Sequence, residues 1–431
     1  MIAVALAFLG LFILVFARVP IGLAMLVSGF CGYFYFTGFN AALALVGQNF
    51  RDVGFSYSLS VIPMFVLMGN LVAQARLAQN LYDAANSFIG HFRGGLAMAT
   101  IIACGGFAAI CGSSVATAAT MTKVSYGAMK QHGYADGLST ASIASGGTLG
   151  ILIPPSVVMI IYGVSTETHI GKLFAAGMIP GIVGILGYML AVRWTVSRDP
   201  EAGPAGSRAG WRDRFRSLLD VWGVLVLFGG IMGGIYGGLF TPTEAAGVGA
   251  LGAAAFCVLR GLLTAEVLYR ALSETARTTA SLFFVIMGAY VFADFVSYSG
   301  SPDLIAAAVA GLDVPPFLVM VAILAVYILL GCVMDSIAMI LLTVPVFFPI
   351  IVALGYDPVW FGVMVVMVVE IGLITPPIGM NVFIIGSMVP GVRMNAIFRG
   401  VVPFIFADIL RLALLLAFPG IALFLPRLFF G

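Results

Sequence analysis

The first fifty residues carry a single charged side chain, Arg18. Such a stretch is nearly free of charge, and apolar runs return along the whole chain. Crossing the hydrocarbon core of a bilayer takes about 20 consecutive apolar residues in a helix. Inside lipid every backbone N–H and C=O needs a partner within the structure, which favours helices. Only 9% of the 431 residues are charged and 61% are hydrophobic, whereas a soluble domain carries about 25% charged residues. The chain is therefore read as an all-α polytopic membrane protein.

Simple spans are expected near 1–17, 19–37, 57–75, 170–194, 221–240, 243–260, 280–299 and 401–425. Two further apolar runs, 136–166 and 357–389, are interrupted in the same way, by "GILIPPS" at 150–156 and "GLITPPI" at 372–378. Proline lacks the N–H and clashes with the preceding turn, so Pro154, Pro155, Pro376 and Pro377 must break their helices. Pro154 and Pro376 are 222 residues apart, as are Gly150 and Gly372.

Residues 94–128 and 315–353 each suit two half-depth helices meeting at a tip, "CGSSVAT" (111–117) and "LGCVMDS" (330–336). Re-entrant hairpins of this kind are tolerated at membrane depth only where their irregular backbone is buried in protein or lines a cavity. Amphipathic stretches at 76–93 and 264–278 are expected to lie in the interface plane. Residues 195–220, rich in Pro, Gly and Arg, read as a linker that divides the chain near its middle.

If that linker is cytoplasmic, 16 of the basic side chains fall inside and only Arg51, Lys172 and Arg427 outside. That bias follows the positive-inside rule and places both termini outside. Arg18 follows the first apolar run rather than preceding it, so this run is read as a retained span and not a signal peptide. On this topology the two halves run in opposite directions. Gly/Pro interruptions at corresponding positions of oppositely oriented halves are the mark of an inverted-repeat secondary transporter.

Each break frees carbonyls and helix ends where a cation or an anionic substrate needs them. Around the first lie Ser113, Ser114 and Thr117 on the tip, with Ser145, Gly146, Gly147 and Thr148 before the prolines. Around the second lie Gly331, Met334, Asp335 and Ser336, with Gly372 and Thr375. Neutral oxygens with at most one carboxylate suit Na⁺ better than a divalent ion. The same small residues also let helices pack closely, which is the plainer reading of any one of them. Ser114, Ser156, Thr375 and Asn381 are candidates to bind a carboxylate substrate. Glu370 is placed to serve the second site directly or through a neighbour, and Asp408 and Arg411, at i and i+3, are expected to pair.

Other features carry less. The five cysteines form no metal-ligand spacing and read as buried thiols. No basic patch with interleaved aromatics points to nucleic acid. Ser113 has no histidine placed to activate it as a nucleophile, so no enzyme is expected. "GGIMGGIYGG" at 229–238 reads as a packing face.

The stretches "ASGGTLGILIPPSVVMIIYGV" (144–164), "GLFTPTEAAGVGA" (238–250), "GCVMDSIAMILLTVPVFFPI" (331–350) and "GLITPPIGMNVF" (372–383) resemble the large M subunit of tripartite ATP-independent periplasmic (TRAP) transporters. The resemblance runs along essentially the whole chain. It implies an ion-transporter-superfamily fold in which a transport domain moves against a scaffold as an elevator, importing an organic acid on a Na⁺ gradient across a bacterial inner membrane. It also implies a periplasmic substrate-binding protein and a small four-helix Q subunit as partners. Carried over by motif, the Na⁺ sites fall on Ser113, Ser114, Thr117, Gly147 and Thr148, and on Gly331, Met334, Asp335, Gly372 and Thr375. The expected organisation is scaffold and arm at 1–93, first hairpin and broken helix at 94–169, a span at 170–194 and the linker at 195–220. A second scaffold and arm follow at 221–312, the second hairpin and broken helix at 313–391, and a C-terminal span at 392–431. A stand-alone carboxylate or anion transporter and a proton-coupled transporter of related architecture are the alternatives.

Overall fold

Every regular element among the described residues of the computed structural model is a helix. Those residues are 2–75, 77–302, 304–305 and 314–431. Arg76, one of the basic residues expected inside, and the expected domain boundary at 312–313 lie outside them. Five helices are individually long and apolar enough to cross a bilayer, or up to seven if each bent pair counts as one span. This is the helical, multi-pass architecture expected from composition.

The two proline pairs break their helices as the chemistry of proline demands. Asp136–Thr148 passes through a short 3-10 turn, Leu149–Ile151, before the chain leaves the helix, and Val157–Ser165 resumes beyond it. Pro358–Ile374 ends at Thr375, whose extended backbone is what a residue before proline prefers, and Met380–Met388 follows. Both Pro–Pro peptide bonds are cis. The first pair is buried, whereas Pro376, Pro377 and Ile378 are exposed.

Ahead of each break stand two helices joined by a tight turn. Gly95–Cys111 turns through Gly112 and Ser113 into Ser114–Met121, which continues through a wider π turn and ends at Gln131. Pro316–Gly331 turns through Cys332–Asp335 into Ser336–Ala353. Ser113 caps the second arm of its pair by accepting from Ala116 N. Asp335 does the same more fully, its Oδ1 accepting from Ile337 N at 2.9 Å and Ala338 N at 3.1 Å.

The two helices that lead into the breaks form the centre of the molecule. Every residue from Val359 to Ile374 is buried, as is every residue from Leu138 to Thr148. The first of these is apolar nearly all round, which suits a helix enclosed by others. The second is rich in hydroxyls, and several pair within the helix itself: Thr140 donates to Asp136 O and Ser142 to Ser139 O, while Thr148 Oγ1 stands 2.7 Å from Ser145 O. Met394–Ala417 packs against both helices.

Several boundaries differ from expectation. Residues 264–278 are the first part of one continuous helix, Ala265–Tyr298. Thr264 caps it, and no Gly or Pro separates the amphipathic part from the apolar part, so nothing stops propagation. At 1.5 Å per residue it is about 50 Å long. The span expected at 401–425 is instead Met394–Ala417 followed by Gly420–Phe430, divided at Pro419. An amphipathic helix, Phe39–Gly54, lies between the expected spans at 19–37 and 57–75.

The linker is tied down rather than loose. The preceding helix runs on to Arg198, and Trp211–Asp220 is itself helical. Between them Gly203 O accepts from Gly94 N at 2.9 Å, Ala202 O from Ala135 N at 3.0 Å, and Gly206 N donates to Gly90 O at 3.0 Å. Arg214 is buried and donates from Nε to Ser87 O at 3.1 Å.

Candidate functional site

The first tip and the first break lie backbone against backbone. Gly112 has φ +64°, and a Cβ there would sit 2.6 Å from the carbonyl oxygen of Pro155, so only glycine meets both demands. A Cβ on Gly150 would lie 2.8 Å from Ser113 O and 3.0 Å from Thr117 Oγ1. On Gly147 it would lie 2.9 Å from the Cβ of Ala118. The chain thus brings Ser113 and Thr117 onto the end of Asp136–Thr148. Ser145 Oγ, on that same helix, is buried without a hydrogen-bond partner among the described residues.

The second tip meets the second break in the same manner. A Cβ on Gly372 would stand 2.7 Å from both Cα and O of Gly331. Met334 is buried three residues after Gly331, and Asp335 caps the next helix. Thr375 closes its own helix by donating to Ile371 O. Carbonyls at helix C-termini and hydroxyls therefore gather at each junction, joined at the second by the one carboxylate, Asp335. Last-turn carbonyls carry partial negative charge and lack intrahelical partners. Such a donor set, with the orphaned Ser145 hydroxyl beside it, fits a small hard cation.

The two tips share one cavity of about 150 Å³. Its polar lining comes from Ser113 and Ser114 on the first tip, Asp335 and Ser336 on the second, and Thr278 on the long helix Ala265–Tyr298. Val66 and Leu282 face the tips from the other helices. Thr278 has no sequence signature, because it belongs to an amphipathic stretch whose polar residues all look alike.

The remaining candidates are placed differently. Ser156 is fully buried and caps Val157–Ser165, accepting from Met159 N at 3.2 Å and donating to Ile151 O, while its neighbours Val157 and Val158 reach the cavity. Asn381 is buried and donates from Nδ2 to Ala144 O at 3.2 Å. The Thr148 hydroxyl turns towards Tyr188, 3.1 Å away.

That last contact opens a buried polar chain. Tyr188 donates to Asp408 Oδ2 at 2.7 Å, and Arg411 Nη2 donates to Asp408 Oδ1 at 2.7 Å and also to Glu370 Oε2. The expected Asp408–Arg411 pair is present. Glu370 binds the guanidinium through Oε2. Neither this partnership nor Tyr188 has a signal in the local sequence.

The chain matches, over residues 8–421, the family model described as "Tripartite ATP-independent periplasmic transporter, DctM component". It is 38% identical to the "C4-dicarboxylate TRAP transporter large permease protein DctM" of Pseudomonas aeruginosa, an alignment covering 86% of each chain. It is 35% identical to the "Ectoine TRAP transporter large permease protein TeaC" of Halomonas elongata, over 95% of this chain and 96% of that one. Among solved structures, the YdaH transporter of Alcanivorax borkumensis superposes with a TM-score of 0.66 at 17% identity, covering 88% of each chain. That likeness concerns the fold.

Proposed function

Since the chain belongs to the DctM component family of tripartite ATP-independent periplasmic transporters, we propose that it is the large permease subunit of a Na⁺-coupled importer of organic acids. The observation that carries this reading is the shared cavity. Ser113 and Ser114 from one half and Asp335 and Ser336 from the other converge on it, beside two broken helices. Paired breaks with helix ends aimed at one locus suit an anionic substrate and its coupling cations together.

In this reading the tips are re-entrant, the halves are inverted repeats, and the hairpins with the broken helices move as an elevator against the other spans. The cavity lies at that boundary, since Val66, Thr278 and Leu282 face the tips from helices outside the moving unit. One Na⁺ is held by Ser113, Ser114, Thr117, Gly147 and Thr148, and another by Gly331, Met334, Asp335, Gly372 and Thr375. Ser114 and Thr375 also reach the substrate, with Ser156 and Asn381 bordering it. A periplasmic binding protein delivers the acid, a small Q subunit packs on the scaffold, and the complex sits in the inner membrane with both termini of this chain outside.

The test is uptake of a labelled acid into proteoliposomes holding this chain and its small partner, with the binding protein supplied outside. Uptake that requires both an inward Na⁺ gradient and the binding protein is expected. Uptake that ignores Na⁺ and follows a proton gradient would overturn the ion assignment. Uptake without any binding protein would identify a stand-alone carrier.

A further inference from the structure

The polar chain behind the candidate ion sites spans four helices and touches the end of each broken one. Thr148 is the last residue of Asp136–Thr148, follows Gly147, which abuts Ala118 just past the first tip, and precedes Gly150, which abuts Ser113 on it. Glu370 lies one turn from the end of Pro358–Ile374 and two residues before Gly372, which abuts the second. Between them run Tyr188 on Ile170–Arg198 and Asp408 and Arg411 on Met394–Ala417. Tyr188 gives its one proton to Asp408, so the Thr148 hydroxyl, 3.1 Å from the Tyr188 oxygen and 2.7 Å from Ser145 O, shares its single proton between those two acceptors; Arg411 donates to both Asp408 and Glu370.

Packing alone does not account for this cluster. Glu370, Asp408, Tyr188 and Thr148 are fully buried, and Arg411 is 4% exposed. A charge at membrane depth is expensive. A well-packed apolar set of the same volume would commonly be as stable as a buried ion pair or more so. What apolar residues do not provide is direction. The two hydrogens of Arg411 Nη2 point to fixed places in the guanidinium plane, one for each carboxylate. Room for the group is built in, since a Cβ on Gly184 would fall 2.0 Å from Arg411 Nη1. The Pro180 carbonyl stands 3.5 Å from the same nitrogen.

We infer that Arg411 is a positioning residue for both ion sites. It holds the end of one broken helix through Glu370 and the end of the other through Asp408, Tyr188 and Thr148, so that filling one site sets the geometry of its partner. On this view the Thr148 hydroxyl serves as the tether, and the ion takes main-chain oxygen from that helix end. Cooperative Na⁺ binding is the consequence, because a shift at either helix end is transmitted through one rigid planar group. This inference rests on the Na⁺ reading given above.

The experiment is a Na⁺ titration of the unfolding temperature of the purified chain with its small partner, in detergent and without substrate. Wild type is expected to be stabilised by Na⁺ with a Hill coefficient of roughly 2, since the coefficient is bounded by the number of coupled sites. Arg411→Lys keeps the charge but loses the planar fork, and its Hill coefficient is expected to fall to about 1 while Na⁺ still stabilises. Tyr188→Phe leaves every charge in place and is expected to lose cooperativity likewise, so the inference is tested even if the lysine variant fails to fold. Thr148→Val combined with Tyr188→Phe should bind Na⁺ no more weakly than either single variant, because both remove the same link.

A merely structural cluster would lower the Na⁺-free unfolding temperature and leave the Hill coefficient unchanged. That result, or a wild-type coefficient of about 1, would overturn the inference. So would Thr148→Val abolishing Na⁺ stabilisation while Tyr188→Phe does not, which would make the hydroxyl a ligand. A wild-type protein that ignores Na⁺ altogether would instead remove the coupling-ion reading itself.

Discussion

Asn381 donates its side-chain amide to the main-chain carbonyl of Ala144 at 3.2 Å, joining the helix after the second break to the helix before the first. Aspartate at this position would set a carboxylate oxygen against that carbonyl, two acceptors with no proton between them. Leaving a buried polar group unsatisfied costs about 1–3 kcal/mol, and more when it is charged. Asn381→Asp is therefore expected to lower the unfolding temperature more than Asn381→Ala, as calorimetry would show. Equal losses would mean that this link contributes little.

Gly331 and Gly372 leave no space between their backbones. Gly372→Ala has to push the two helices apart, and overpacking a tight contact typically costs about 1–3 kcal/mol. The variant is expected to unfold at lower temperature and to need more Na⁺ for the same uptake rate. Wild-type Na⁺ dependence in a folded Gly372→Ala protein would show that the second ion site does not need this approach.

Ser114 and Thr375 serve the proposed sites through oxygen, so Ser114→Ala and Thr375→Ala should each raise the Na⁺ concentration for half-maximal uptake by about tenfold, the equivalent of 1.4 kcal/mol. Ser139 is the control. Its hydroxyl is buried without a partner among the described residues and lies over two helical turns before Gly147, and removing an unsatisfied group is close to neutral. A Ser139→Ala carrier as impaired as the other two would show general fragility of the buried helices.

The linker is held by Arg214, which donates to Ser87 O and lies over the rings of Phe88 and Trp211. Arg214→Ala removes that bond and the packing of the side-chain stem. Limited proteolysis should then cut within 199–210 several times faster than in wild type, with roughly 1–3 kcal/mol lost from stability. Unchanged cleavage would show that the main-chain bonds to Gly90, Gly94 and Ala135 hold the linker unaided.

Proline pairs and small polar tips could be read along the chain because each acts within a turn of its own position. Pro154 and Pro376 end helices wherever those helices lie, and Gly112, Ser113 and Asp335 shape their tips through their own backbone and side-chain geometry. The Asp408–Arg411 pair was accessible for the same reason, at one helical turn's separation. Boundaries were harder where no breaker stood. Between 264–278 and the span after it nothing in the residues halts the helix, and a polar stretch at 195–220 looks like a free tether until its partners at 90–94 and 135 are known.

The sequence by itself determined that this chain lives in a membrane, where it breaks and where it turns, because those outcomes depend on hydropathy and on chemistry local to the backbone. Only the tertiary structure decided which of those points meet. Glu370 finds Arg411 across 41 residues and Tyr188 finds Asp408 across 220, while Thr278 comes to the tips from another helix. In a chain whose helices are apolar on most sides, periodicity does not mark which face meets which neighbour. The choice falls to side-chain shape and to the few buried polar groups that must find partners.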